Sequence, residues 1–149
     1  MKKLDLPPVW LIGFAVLAWV QADQLRLGLG FGGGVVDLFG GLLVGGGIIL
    51  VGMAALEFRR HRTTIDPRNT PVVLITSGPY KRSRNPIYLG DALILTGLIL
   101  RFDAVLSLPL VPIFIWVMER RFIFPEETRL RRQFRQEFHR YETKVRRWV

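Results

Sequence analysis

Residues 76 to 90 read Thr-Ser-Gly-Pro-Tyr-Lys-Arg-Ser-Arg-Asn-Pro-Ile-Tyr-Leu-Gly, a basic loop that runs into Asn-Pro at the head of an apolar stretch. Asn85 suits the N-cap of a helix and Pro86 its first residue. The first turn of such a helix offers free N–H donors and the positive end of the helix dipole. With Arg82 and Arg84 just before it, a carboxylate would find donors, cations and dipole in one place. Tyr88 and Gly90 fall in the first turns, and Gly90 removes a side chain where a flat ring would approach. The bland reading is a plain helix start. Asp91 follows, an acid inside an apolar segment, where its cost points to a supporting hydrogen bond.

A second constellation is acidic: Glu119, then Glu126-Glu127. Adjacent carboxylates accept hydrogen bonds from ribose hydroxyls, as an acid does in dinucleotide sites. The competing account is decoration of a helix start after Pro125, which the dipole favours. Other chemistries are excluded. The chain has no cysteine, so disulfides, thiolate metal sites and cysteine nucleophiles are out. His61 and His139 are far apart, which argues against a histidine metal cluster.

Those groups need elements to carry them, and the elements are apolar. The chain has 149 residues, room for one domain, half of them hydrophobic, yet its net charge is +9. Charge confined to loops and tails explains both. Four segments stand out, at about 8–27, 38–58, 87–100 and 104–118. The second has the length of a bilayer crossing, about 20 residues. The third and fourth, split only by Arg101-Phe102-Asp103, predict a helical hairpin. Lys2 and Lys3 precede the first, but no small-residue cleavage pattern follows, so it reads as a retained anchor.

Cations set the orientation. The connection from Arg59 to Arg84 holds seven Lys/Arg against one acid, Asp66, and the tail from Glu119 holds ten against five. The other two connections hold one cation each, Arg26 and Arg101. The positive-inside rule then puts both termini, the middle loop and the tail in the cytoplasm. The basic excess fits anionic lipid head groups, and no nucleic acid is expected, because the aromatics are not interleaved with the cations. Twelve of fifteen glycines precede Met53. They lack the strand and Lys-Ser/Thr of a phosphate loop, so close helix packing through Gly41 and Gly45 is expected, with a homodimer as one outcome.

After Pro125 the apolar residues Leu130, Phe134, Phe138, Tyr141, Val145 and Trp148 recur at spacings of four, four, three, four and three. That is one helical face. The helix, within tail 125–149, either lies on the membrane or covers a site as a lid. The expected fold is therefore all-α: an integral-membrane bundle of about four transmembrane helices with a cytoplasmic amphipathic C-terminal helix, in a single domain, 1–149.

Taken in order, Ser77-Gly78-Pro79-Tyr80, Arg84-Asn85-Pro86-x-Tyr88-x-Gly90, Glu126-Glu127 and the closing Val145-Arg146-Arg147-Trp148 resemble the isoprenylcysteine carboxyl methyltransferase family. Phospholipid methyltransferases share the Asn-Pro-x-Tyr-x-Gly and Glu-Glu elements. Thr63-Thr64-Ile65-Asp66-Pro67 is similar to a loop of small bacterial members. The resemblance implies an integral-membrane, multi-pass methyltransferase of a bacterial inner membrane, using S-adenosylmethionine and releasing S-adenosylhomocysteine. It implies a cofactor pocket of Tyr80, Arg84, Asn85, Pro86, Tyr88, Leu89, Gly90, Glu126 and Glu127, with Arg84, Asn85 and Glu127 at the catalytic centre. Glu126 and Glu127 would hold the ribose or amino group. Asp91, Glu119, Arg146, Arg147 and Trp148 would form the acceptor side, the last three closing the site from the tail. The chain departs from the family's pattern: many members carry His at Asn85, Gly at Arg135 and Tyr at Phe138, and a closing proline that does not follow here at Val149.

Methyl transfer from a sulfonium is an in-line displacement that needs no metal. The protein's task is positioning, worth up to about 7–11 kcal/mol of barrier. A carboxylate acceptor needs no base; an amine must lose a proton, with Glu119 or Asp91 as helpers. Membrane lipids and a lipophilic or lipid-linked acceptor are the expected partners. Two other classes compete: an NAD(P)H-dependent reductase of the sterol reductase type, and a non-catalytic membrane scaffold.

Overall fold

A computed structural model describes residues 6–25, 30–63 and 71–149. Arg26 and the Thr64–Pro67 part of the family-like loop lie outside the described residues. Among the described residues every regular element is helical: α1 (Pro7–Gln24), α2 (Gly34–Arg60), α3 (Pro86–Arg101), α4 (Leu110–Met118) and α5 (Phe124–Lys144). Proline occupies the first turn of α1 and α3, where its missing N–H costs nothing. α2 is the one helix among the described residues long and apolar enough to cross a membrane. At 27 residues it extends about 40 Å.

α2 and α3 pack through glycine backbones. A Cβ placed on Gly97 would lie 2.5 Å from the Gly40 carbonyl oxygen, and one on Gly47 would lie 2.6 Å from that of Gly90. Two glycine pairs seven residues apart thus fix the antiparallel register. The expected pair, Gly41 and Gly45, is not the seam. A Cβ on Gly45 would meet nothing within 4 Å, and one on Gly41 only the Arg101 guanidinium at 3.6 Å. The seven-residue spacing keeps one face toward α3, whereas Gly45 lies off that face.

α1 closes the other side of α3 through Phe14, Ala18, Leu95, Ile99, Phe114 and Met118. Phe14 meets Phe114 edge-on at 5.4 Å, and Ser107 donates to Gln21 Oε1 at 3.0 Å. The return from α3 is longer than its sequence suggested. Residues 102–109 form turns, so α4 begins at Leu110 rather than at Ala104.

α4 does not stop at the charged residues. It passes through a π-helical turn, Glu119–Ile123, straight into α5. α5 then breaks: Arg135 has φ 41° and ψ −107°. Arg131 reaches Glu142 at 2.8 Å, although a straight helix would hold residues eleven apart about 16.5 Å from each other. The tail is therefore two limbs and not the single helix expected. Leu130 and Phe134 on one limb and Phe138 and Tyr141 on the other pack around Leu74. The apolar periodicity serves this folded-over cluster.

Candidate functional site

The start of α3 and the first turn of α5 converge on one cleft. Its lining includes Arg84, Asn85, Glu126 and Glu127 at a polar end and Phe58, Leu74, Ile75, Tyr80, Leu130 and Phe138 elsewhere. The empty space is about 590 Å³, its open mouth included. Cofactor sites commonly combine such apolar walls with a few converging polar groups.

Asn85 occupies the N-cap position, but its side chain does not cap the helix. Its Nδ2 donates instead to the Arg147 carbonyl at 3.0 Å. Arg84 N–H donates to the Arg146 carbonyl at 3.0 Å, and Ser83 Oγ reaches the Arg147 carbonyl at 3.4 Å. The extended tail is thus fastened along the loop before α3. The position is as expected but the capping bond is absent, because the amide is turned to the tail and held there through Nδ2.

Arg84 links three elements. It approaches Glu127 at 3.4 Å and Glu142 at 3.3 Å, and its side chain is only 11% exposed. Its Nε is buried with no hydrogen-bond partner. An unpartnered buried N–H of this kind carries a desolvation cost. Glu127 is saturated by comparison. Arg147 grips it with Nε at 3.1 Å and Nη2 at 2.9 Å, and Arg131 stands 3.6 Å away. Arg131 also pairs with Glu142, which holds that carboxyl below its ordinary value.

The two glutamates are therefore unlike. Glu126 accepts from the Tyr88 hydroxyl at 3.3 Å. Protein crowds it on all sides although its edge stays partly open to the cleft. Burial pushes its carboxyl up to about 7, and the Tyr88 hydrogen bond and Arg129 only partly counter that. Glu126 is poised to change protonation near neutral pH; Glu127 is a structural clasp.

The remaining expected residues fall in three groups. Tyr80 lines the cleft, and its carbonyl accepts from Tyr141 Oη at 2.8 Å. Tyr88 stacks on Phe122 with ring centroids 6.3 Å apart and reaches the site through its hydroxyl. Trp148 donates to Glu119 at 2.8 Å, so tail and π turn meet beside the cleft. Arg147 clasps Glu127, while Arg146 contributes its carbonyl. Pro86, Leu89, Gly90 and Asp91 do not line the cleft. Gly90 faces Gly47 and Val51 of α2, so the missing side chain admits a helix backbone and not a ring. Asp91 is buried on α3 one turn beyond Tyr88.

Four participants were missed from sequence: the Leu74–Ile75 wall, Glu142, Tyr141 as a hydrogen-bond donor, and Glu57. Glu57 carried a signal, being an acid at the end of an apolar span. The others lie in segments whose partners are distant in sequence.

The phospholipid methyltransferase family model matches residues 36–137, about two thirds of the chain, from α2 through the bend in α5. No curated protein and no solved structure matches the chain.

Proposed function

The chain belongs to the phospholipid methyltransferase family, and from that membership we propose S-adenosylmethionine-dependent methyl transfer to a lipophilic acceptor held in the membrane. The family is membrane-associated, and α2 is long enough to cross a bilayer. In this reading α1, α2, α3 and the α4 run form a four-crossing, single-domain bundle with the cleft and both termini cytoplasmic. Arg59, Arg60, Arg84, Arg120 and Arg121 all lie at helix ends or connections on the cleft side, which the positive-inside rule supports. A bacterial inner membrane suits such a chain, and the outward Gly45 face leaves a homodimer as part of the proposal.

The observation that carries the reading is the meeting of Arg84–Asn85 with Glu126–Glu127 around one cleft. The residues fit the cofactor. The Arg84 guanidinium, part of the cleft lining, suits its carboxylate. Glu126 suits a ribose hydroxyl or the amino group, and Phe58, Ile75, Leu130 and Phe138 offer apolar walls to the purine. When bound, the cofactor supplies an electrophilic methyl on a sulfonium. The chain's own residues bind, orient and exclude water, which is the main source of rate in such a displacement. Glu126, with its carboxyl near neutrality, can take a proton from an amine acceptor. A carboxylate acceptor leaves it as a hydrogen-bonding group.

Titration of purified protein with S-adenosylhomocysteine and, separately, with NADPH tests the proposal. Binding of the former, weakened at least tenfold in Asn85→Ala and Glu126→Gln, supports it. Binding of NADPH alone favours the reductase reading, and binding of neither favours a scaffold. Glu126 is the cleaner probe, because removing Glu127 also unfastens Arg147 and the tail.

A further inference from the structure

Glu57 is an acid near the last turn of α2, 5% exposed, next to the cleft-lining Phe58. An acid buried at the end of an apolar helix needs partners. It has three. Arg60 Nη1 donates to Oε1 at 2.9 Å, Ser77 Oγ donates to Oε2, and His61 Nε2 lies 3.7 Å from Oε2. His61 Nε2 is also 3.0 Å from Ser77 Oγ. Since the single Ser77 proton is committed to Glu57, the histidine must be the donor in that contact.

Glycine at position 78 follows from the same arrangement. Gly78 has φ +55°, and a Cβ there would come 2.9 Å from the Glu57 carboxyl carbon. Only glycine allows the turn to sit directly on the carboxylate. Pro79 and Tyr80 complete the turn, with Tyr80 N–H donating to the Ser77 carbonyl at 3.1 Å. Tyr80 then meets Phe58, the neighbour of Glu57, edge-on at 5.9 Å. Both rings line the cleft, and the Tyr80 carbonyl receives the Tyr141 hydroxyl of the second α5 limb.

We propose that Glu57 is a positioning residue for the cleft: it latches the Ser77–Tyr80 turn onto the end of α2 and so sets the wall formed by Phe58 and Tyr80. The glycine seam ties α2 to α3, so the latch fixes that wall relative to Arg84 and Asn85 as well. Glu57 touches no ligand in this account. Its effect on cofactor affinity rests on the reading of the cleft given above; its effect on the turn does not.

The test uses the full chain in lipid nanodiscs, with Glu57→Gln, Ser77→Ala, the double variant and Ser77→Thr. Glutamine has one acceptor oxygen, so it cannot accept from both Ser77 and Arg60 as the carboxylate does. Hydrogen exchange at the Tyr80, Arg82 and Ser83 amides reads the turn without any ligand, and S-adenosylhomocysteine titration reads the cleft. The latch predicts faster exchange at these three amides in Glu57→Gln and Ser77→Ala, with slow exchange retained in α2. It predicts about tenfold weaker binding in each, a double variant no worse than the weaker single, and wild-type behaviour for Ser77→Thr. Unchanged exchange, or two additive losses of affinity, overturns it. Should wild type fail to bind the probe, the cofactor reading fails while exchange still decides the latch. Global loss of protection in one variant is resolved by the other, since Ser77→Ala removes only a hydroxyl.

Discussion

Gly97→Ala and Gly45→Ala make the same chemical change in two helices and should move stability in opposite directions. A methyl on Gly97 would sit 2.5 Å from the Gly40 carbonyl oxygen and 2.8 Å from Val44 N and Cγ2. Ordinary contact begins near 3.4 Å, so the helices must part by about 0.9 Å. A gap of that size forfeits about a quarter to a half of the dispersion at each contact along the seam. Overpacking of this kind costs about 1–3 kcal/mol. Alanine's better helix propensity returns up to about 1 kcal/mol, leaving a net loss. A methyl on Gly45 meets nothing, so only the propensity gain remains. Thermal unfolding followed by circular dichroism in one detergent compares both with wild type. The midpoint should fall by several degrees for Gly97→Ala and hold or rise for Gly45→Ala. Equal shifts, or the reverse order, refute the Gly40–Gly97 and Gly47–Gly90 seam.

Three further outcomes are expected. Arg135→Gly should raise stability by on the order of 1 kcal/mol in a denaturant titration, since relieving φ 41° outweighs glycine's entropy cost; a loss would mean that α5 runs straight through this position. Glu126 has its folded carboxyl raised from 4.5 to about 7, so the native state holds a proton that the unfolded chain has lost. Its contribution is full below about pH 4.5 and disappears as pH rises through 7, at most about 3 kcal/mol and less for its open edge. Glu126→Gln should flatten the fall of the melting midpoint between pH 5.5 and 7.5, whereas Glu142, held low by Arg131, matters only in more acid solution. Arg147→Ala should loosen the tail, which keeps its backbone bonds to Arg84 and Asn85: carboxypeptidase should remove residues 146–149 faster than in wild type, because the Glu127 clasp is gone while Arg84 still pairs Glu127.

Much of this was legible in the order of residues. Pro86 marked the start of α3, the apolar length marked α2, and Tyr80, Arg84 and Asn85 of the motif with Glu126–Glu127 marked the cleft. The first two signals are local, carried by propensity and composition; the third came from the family resemblance. The failures are equally physical. Asn85 has the right side chain for a cap, yet the carbonyl of Arg147, 62 residues away, takes its amide. Gly90 and Gly41 look alike in sequence, and only the register of α2 on α3 decides which is buried. The bend at Arg135 occurs in a residue with good helix propensity, where packing around Leu74 overrides local preference. Glu57 was passed over because nothing nearby in sequence announces its partner Ser77.

The cleft as the cofactor's seat is tested most directly by ultraviolet cross-linking of methyl-labelled S-adenosylmethionine to the wild-type protein, followed by peptide mapping. Label in the segments 73–85 and 126–141, competed away by S-adenosylhomocysteine, is the predicted result. Competed label confined to other segments, or no competed label at all, contradicts the account.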